Sequence, residues 1–363
     1  MRKNTEISVL PIIGAAAVRS DLLDAVVVIG RFMLPHRVHL DLLKQALARG
    51  KRVVVALGSA FHARTSKNCF LWSEREAMFR LCLNDEENLR ITFVPVRDYY
   101  HTGKWLAALE RKVRAVVGDT RSIRAIGNFK DASSEYLRLL PWDVIETGKV
   151  EGVDSTTMRA VLYEADDFDS ARAVMAPFVP EPVLRYLRAW CLLPHLGELK
   201  KEYFKLKQEK IDHPLPYGVA ADFIFEYGKY VLLIERLKYP GKGLIAWPGG
   251  FWEPERGETL RQCALREGVK EETGLGLLPA TLDQAFQRAA VFDAPGRSVR
   301  GPILSVAHHY KMTGGDVMPE LAPKDGEAKP FFFETARFHE LEGRMYDDHY
   351  LMGQEFLGFE LAD

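Results

Sequence analysis

Cysteine, surplus charge and long apolar runs are all scarce in this 363-residue chain. Its four cysteines, Cys69, Cys82, Cys191 and Cys263, are widely scattered, with no C-x-x-C pair and no short disulfide framework. A stapled secreted scaffold is therefore excluded, and a reducing cytoplasm is expected. Lys and Arg number 49 against 50 Asp and Glu, a net charge of −1. That balance leaves no broad electrostatic footprint for nucleic acid or an anionic lipid surface, although a local basic cluster still suffices for a small anionic substrate. No apolar run approaches the roughly 20 residues that span a bilayer, so no membrane partner is expected. Internal repeats and low-complexity segments are missing as well. What the chain has in quantity is length, more than one ordinary core needs, which predicts two domains and leaves a homo-oligomer open.

Residues 7–18 are mostly apolar and end in Ala15, Ala16 and Ala17, like a secretory signal, but Glu6 and Pro11 interrupt the run and a strand follows almost at once. Export is not expected. From Ala25, β-branched runs alternate with helical patterns. Strands are predicted at 25–29, 52–56, 91–96 and 115–117, and helices at 38–48, 105–113 and 153–165. This is the pattern of a parallel sheet wrapped by helices, whose ligands gather at the carboxyl ends of the strands. Residues 166–213 carry Pro177, Pro180 and Pro182 and then charged helical sequence. Within it the Lys-rich run 199–210, interleaved with Glu198, Glu202 and Glu209, reads as a solvated helix. After Val219, residues 223–225, Gly228 and residues 230–234 read as a hairpin that opens a second, α+β domain.

Directly after the first strand comes Gly30-Arg31-Phe32-Met33-Leu34-Pro35-His36-Arg37-Val38-His39. Gly30 permits a sharp turn, Pro35 suits a helix start, and His36 and His39 share one helix face. Two imidazoles beside a helix N-terminus form a compact donor set for an anion, because free backbone N–H groups and the helix dipole already favour negative charge there. Attack on an α-phosphate requires just such fixed positive donors. Alone, H-x-x-H equally suits a structural pair or a metal site; the surrounding strand, turn and proline favour the anion. Further on, Ser155 and Thr156 can cap a helix while facing a triphosphate, and Arg159, one turn in, can neutralise its outer phosphates.

These residues resemble the signature of the nucleotidyltransferase superfamily, in the version found in NMN adenylyltransferases. Gly58-Ser59-Ala60, then Arg64-Thr65-Ser66-Lys67-Asn68 and Glu74-Arg75, is similar to the family's loop after the second strand. Lys130-Asp131-Ala132-Ser133-Ser134 and Ser155-Thr156-Thr157-Met158-Arg159 resemble two later motifs, so the likeness spans about 25–165. It implies a Rossmann-like fold and adenylyl transfer from ATP to NMN, with His36, His39 and Arg159 as catalytic groups. Gly30, Arg31, Phe32, Ser59, Arg64, Asn68, Trp105, Lys130, Ser155 and Thr156 are implied to bind substrate. Trp105 or Trp142 would stack on the pyridinium. Met33, Asn128, Asp154 and the segment 98–105 depart from the family pattern, and the last of these leaves the acceptor less certain than the transfer.

Trp247-Pro248-Gly249-Gly250-Phe251, Gly257-Glu258, Arg266-Glu267 and Glu271-Glu272-Thr273-Gly274-Leu275 resemble a Nudix box, a loop-helix-loop whose glutamates hold Mg²⁺ against a diphosphate. The resemblance implies Glu258, Glu267, Glu271 and Glu272 as metal ligands, Glu271 also as a catalytic group, and Mg²⁺, with Mn²⁺ as a substitute, as the cofactor. Arg297-Ser298-Val299-Arg300 and Met345-Tyr346-Asp347-Asp348-His349 are similar to the Nudix half of bifunctional NMN adenylyltransferase/ADP-ribose pyrophosphatases, which implies that Arg297 and Arg300 bind ADP-ribose or a related nucleotide. The box is irregular: three residues separate Glu267 from Glu271 where two are usual. Either a one-residue π-bulge near Gly268 restores convergence, or a ligand is lost. The expected architecture is thus a nucleotidyltransferase domain over 1–165, a helical connector over 166–213 and an α+β Nudix domain over 214–363. Rival readings are transfer to another phosphorylated acceptor, and a Nudix domain that senses ADP-ribose or NAD without cleaving it.

Overall fold

The computed structural model describes residues 22–129, 132–148, 154–212, 218–315, 317–324 and 326–359. The apolar stretch 7–18, Lys130 and Asp131 lie outside them. Strands β1 (Leu23–Gly30), β2 (Gly50–Leu57), β3 (Ile91–Pro95), β4 (Ile123–Gly127) and β5 (Val144–Glu146) form a wholly parallel sheet in the order β3-β2-β1-β4-β5. Val26, Val27 and Val28 are all fully buried because helices cover both faces, which is why these strands read as continuous rather than alternating apolar runs. Val26 and Val28 pack with Leu43 and Ala46 of α1 (Arg37–Leu47), whereas Ala25 and Val27 pack with Leu109 and Val113 on the opposite face.

Helices α2 (Trp72–Arg80) and α3 (Asp85–Arg90) connect β2 to β3, and α4 (Thr102–Val117) connects β3 to β4. The strand expected at 115–117 is the last turn of α4. Leu109, Val113, Val116 and Val117 recur at helical spacing against the sheet, and Gly118, at φ 75°, ends the helix. The fourth strand instead begins at Ile123, where Arg124 interrupts the apolar run at an exposed position. Strand order reverses between β1 and β4, which opens a crevice at their carboxyl ends.

After α5 (Ser155–Glu164), the chain forms α6 (Phe168–Met175), α7 (Glu181–Trp190) and α8 (His195–Asp212). These helices, expected as a connector, share one apolar core with Met33, Leu34, Phe70, Met78 and Met158 of the first sheet's surroundings. The Lys-rich helix α8 is not simply solvated. Glu202 is buried and accepts hydrogen bonds from Ser66 N at 2.5 Å and Gly241 N at 2.9 Å, Glu198 accepts from the Tyr239 hydroxyl, and Glu209 lies 3.3 Å from Arg300 Nε. Spaced by four and seven, the three glutamates form one stripe that docks the second sheet.

That sheet is mixed. Strands β6 (Gly218–Tyr227) and β7 (Tyr230–Arg236) form the expected hairpin about Gly228. Strands β8 (Ile245–Ala246) and β9 (Gly249–Phe251) pair with β7 and β6, and β10 (Phe286–Phe292), β11 (Ile303–Met312) and β12 (Ala328–Glu334) complete the order β10-β11-β6-β7-β12. Against it lie α9 (Leu260–Leu265), a π-helical turn at Arg266–Glu271, α10 (Pro279–Ala285) and α11 (His349–Leu357). Among the described residues no helix is long and apolar enough to cross a membrane.

The π-turn approaches β6 so closely that a Cβ on Gly268 would stand 2.3 Å from Phe223 Cβ. Both groups are backbone-anchored, so neither can swing aside. Gly268→Ala is expected to destabilise the second domain by about 1–3 kcal/mol, the usual cost of overpacking. Denaturant unfolding followed by tryptophan fluorescence measures it.

Candidate functional site

Gly30 closes β1, and a Cβ there would fall 2.7 Å from the Phe32 ring. Phe32 is buried at φ 48° and packs edge-on against His39 (4.9 Å) and Phe79 (5.4 Å). It supports the loop from beneath rather than meeting substrate, contrary to the expectation for it. His36 occupies the N-cap position of α1, His39 follows one turn later, and their rings stack with centroids 3.7 Å apart and planes 26° off parallel. Two ring N–H donors side by side at that spacing suit a polyanion laid against both.

The start of α5 meets the loop that leads into this pair. Ser155 Oγ donates to Leu34 O at 3.1 Å, which ties α5 to the β1–α1 loop. Capping falls to Asp154, not to Ser155 and Thr156 as expected, because Asp154 Oδ1 accepts from Thr156 N and Thr157 N at 2.7 and 2.9 Å. Thr156 Oγ1 instead accepts from the guanidinium of Arg159 at 3.2 Å. Arg159 is buried while Arg31 is exposed, and both add to the field at Lys67. The Lys67 amine is held below its ordinary value chiefly by burial and then by Arg31 and Arg159, with Asp347 and Asp98 pulling the other way. Lys67 is therefore a third cation of this cluster, one the sequence reading passed over.

Arg75 is fully buried and donates to the carbonyls of Arg31, Gly58 and Ser59. Ser59, at φ 49°, donates its hydroxyl to Asp98 Oδ2 at 2.7 Å, and His62 Nε2 lies 2.9 Å from the same oxygen. Burial lowers the His62 imidazole, but the bond to Asp98 outweighs it and the net shift is upward; Asp98 is net lowered, its burial overcome by His62 and Ser59. Asn68 presents a buried Oδ1 with no hydrogen-bond partner, which suits a residue awaiting a ligand. Arg64, expected to bind substrate, is engaged with Glu74 at 2.9 and 3.0 Å and with Cys69 O. Trp105 is half-buried, edge-on to Tyr136 at 5.4 Å, while Trp142 is core.

In the second domain the irregular spacing is absorbed by the π-turn. Glu272 N donates to Glu267 O at 2.9 Å, five residues back, and the two side chains return to one side. Glu272 Oε2 accepts from Gly249 N at 2.7 Å, and the Glu267 carboxyl fills the space a Cβ on Gly250 would take, 2.3 Å away. Arg266 gathers the remainder: Glu258 at 2.9 and 2.8 Å, Glu267, Glu271 at 3.5 Å and Glu253 at 3.9 Å. Burial raises the Glu267 carboxyl, Arg266 opposes, and Glu271 and Glu253 raise it again.

Such crowded hard-oxygen donors beside a bare glycine backbone fit a divalent cation. Among the described residues, however, no three are already spaced to cage one. Glu258, Glu267 and Glu271 all pair with Arg266 and Glu272 with Gly249 N, so the four expected ligands lie around one guanidinium and one glycine strand. Arg297 forms a bidentate pair with Asp348, 2.7 Å at both contacts and nearly inaccessible, so a nucleotide there would meet a guanidinium already engaged. Arg300, beside Glu209 and above the Phe251 ring at 5.4 Å, stays within reach of the box.

The His62–Asp98 pair sets a pH dependence. His62 is raised in the folded protein, so its contribution is complete below the ordinary histidine value and is lost as pH rises through the folded one; Asp98 is lowered, so its share is lost as pH falls through the folded carboxyl value. His62→Ala should therefore lower the melting temperature by about 2–4 °C near pH 5 to 6 and by less above pH 8. Scanning calorimetry across that range checks the sign.

A family model described as cytidylyltransferase-like matches residues 27–161, and a NUDIX domain model matches 216–354. Over 182 residues the chain is 36% identical to the nicotinamide/nicotinic acid mononucleotide adenylyltransferase of Acinetobacter baylyi, 50% of this chain and 93% of that protein. Over 120 residues it is 36% identical to the ADP-ribose pyrophosphatase of Methanocaldococcus jannaschii, 33% of this chain and 62% of that one. A bifunctional NMN adenylyltransferase/ADP ribose pyrophosphatase from Francisella tularensis has a crystal structure similar to this one at a TM-score of 0.82 and 27% identity, over 93% of this chain and 99% of that one. A Francisella structure complexed with AMP and a manganese ion gives 0.81. With one half matched by an adenylyltransferase over nearly its whole length and both halves matched by one two-domain structure, the chain belongs to the bifunctional NMN adenylyltransferase/Nudix family.

Proposed function

We propose that the first domain makes NAD from ATP and NMN and that the second hydrolyses a nucleoside diphosphate derivative such as ADP-ribose. The observation that carries the reading is the stacked pair His36 and His39, tied through Leu34 and Ser155 to the helix that bears Arg159. The 5′-phosphate oxygen of NMN attacks the α-phosphorus of ATP in line. A P–O bond forms as the bond to the β-phosphate oxygen breaks, and pyrophosphate leaves. His36, His39, Arg159 and Lys67 hold the charge that builds on the phosphates; removing one such donor typically costs about 10²–10³ in rate. Mg²⁺ enters with ATP. Asp98, Ser59 and Asn68, at the ends of β2 and β3, face the acceptor, and Trp105 offers its ring to the pyridinium.

In the second domain, Glu258, Glu267, Glu271 and Glu272 would hold Mg²⁺, or Mn²⁺ in its place. When bound, the ion polarises the diphosphate and lowers the pKa of the attacking water. Arg266 orients Glu258 and Glu267, and Glu272 clamps the Gly249–Gly250 backbone to the π-turn. Arg300 reaches a phosphate of the substrate. All four cysteines are free thiols, in keeping with work in the cytoplasm.

Incubation of the purified chain with ATP, Mg²⁺ and NMN should yield NAD, and ADP-ribose should yield AMP and ribose 5-phosphate. His36→Ala should lower NAD formation at least about 100-fold and leave hydrolysis within twofold, and Glu271→Ala the reverse. Chelation by EDTA should stop both. No NAD from the wild type excludes this acceptor, and tight binding of ADP-ribose without cleavage makes the second domain a sensor.

A further inference from the structure

Two loops of the transferase end in the other domain. Between them they carry the groups just assigned to the acceptor. Arg97 and Tyr100 bracket Asp98 and both reach into the other domain, although Arg97 also lies over the Phe61 ring of its own at 4.8 Å. The Arg97 guanidinium pairs with both oxygens of Glu342, with Nη2 at 2.6 Å from Oε2. The Tyr100 ring enters the second domain's apolar core edge-on to Phe292, at 5.1 Å, and its hydroxyl donates to Asp348 Oδ2. In the neighbouring loop, Lys67 donates to Gly296 O and Ser66 N to Glu202, the residue that also takes Gly241 N.

Among the described residues Asp98 itself makes no hydrogen bond across the interface, although it lines one cavity with Glu342, Asp347 and Asp348. It turns back to Ser59 and His62. Its position is therefore set by flanking residues, each anchored in the segment 342–348 of the Nudix domain. His36, His39 and Arg159, in contrast, are placed by β1, α1 and α5, which belong to the first domain's own core. Most of the ATP side is built locally, with Lys67 alone of these cations reaching Gly296, whereas both residues that flank Asp98 end in the second domain.

We propose that the Nudix domain completes the acceptor half of the transferase site, with Arg97 and Tyr100 as positioning residues whose bonds to Glu342 and Asp348 hold Asp98 in its binding geometry. The inference rests on the reading of the first domain as an NMN adenylyltransferase. It makes the two activities structurally inseparable on one side of one site.

The test is steady-state kinetics of the full chain, with NMN and ATP varied separately, for the wild type, Glu342→Gln, Tyr100→Phe and the Arg97→Gln/Glu342→Gln double variant. Each single variant is expected to raise KM for NMN roughly tenfold, with KM for ATP and kcat within about twofold. The double variant should add nothing to Glu342→Gln, since both changes remove one pair. An unchanged KM for NMN overturns the proposal, and so does a joint change in kcat and both KM values, which marks general loosening. If Glu342→Gln does not fold, Tyr100→Phe, which removes one oxygen, decides alone. A wild type that makes no NAD removes the underlying reading, and this inference with it.

Discussion

Arg75 carries a positive charge into the interior of the first domain, where no carboxylate forms a salt bridge with it among the described residues, and four backbone carbonyls, that of Leu71 among them, receive it. Burial pushes the guanidinium down to about 10, which still leaves it charged at neutral pH. Desolvating an unpaired cation is costly, so the carbonyls of Arg31, Gly58 and Ser59 must stay on it. Those carbonyls lie at the points where β1 and β2 give way to loops, just beyond the last paired residues Gly30 and Leu57. Their common attachment fixes the distance between the loop that leads to His36 and the loop that begins with Ser59. Phosphate donors and acceptor-binding groups are thus held at one spacing by a residue that touches neither.

Arg266 does the corresponding work in the second domain by a different balance. Four carboxylates of like charge surround it, and one guanidinium cannot neutralise them all. Burial raises the Glu267 carboxyl first, and the neighbouring Glu271 and Glu253 raise it further against the pull of Arg266. The π-turn is part of the same arrangement. An ordinary helix would carry Glu272 away from Glu267, whereas the wider turn leaves both against the Gly249–Gly250 strand, which has no side chain to obstruct them.

Between these two centres, α8 acts as a beam rather than a tether. Its apolar side belongs to the core of the first domain, and its acidic stripe of Glu198, Glu202 and Glu209 meets backbone, hydroxyl and guanidinium donors of the second. A buried carboxylate with two backbone N–H donors, one from each domain, is specific in a way that apolar packing is not, because sliding by one residue would leave it unsatisfied.

Local patterning was enough to read most of the fold. β-branched runs, glycine punctuation and helical spacing marked β1, β2, β3, α1 and the β6–β7 hairpin, because each depends on neighbours within a few residues. The π-turn, in contrast, was one of two outcomes left open by the spacing of the Nudix-like box. Patterning failed at residues 115–117, where three apolar residues suit either a strand or a helix end, and at β4, whose exposed Arg124 hid the run. The side chains divide in the same way. His36 and His39 were legible because three residues on one helix bring them together. Arg64 and Arg297 looked like ligand-binding groups, and the structure pairs them with Glu74 and Asp348. Lys67, Glu202 and Tyr100 carried no signal, since their meaning lies in partners 39 to 248 residues away. By itself the sequence determined the chemistry and the local turns that aim it, whereas only the tertiary structure decided which charges were spent on each other and which were left for substrate, because a salt bridge is a property of two positions and the chain order records only one at a time.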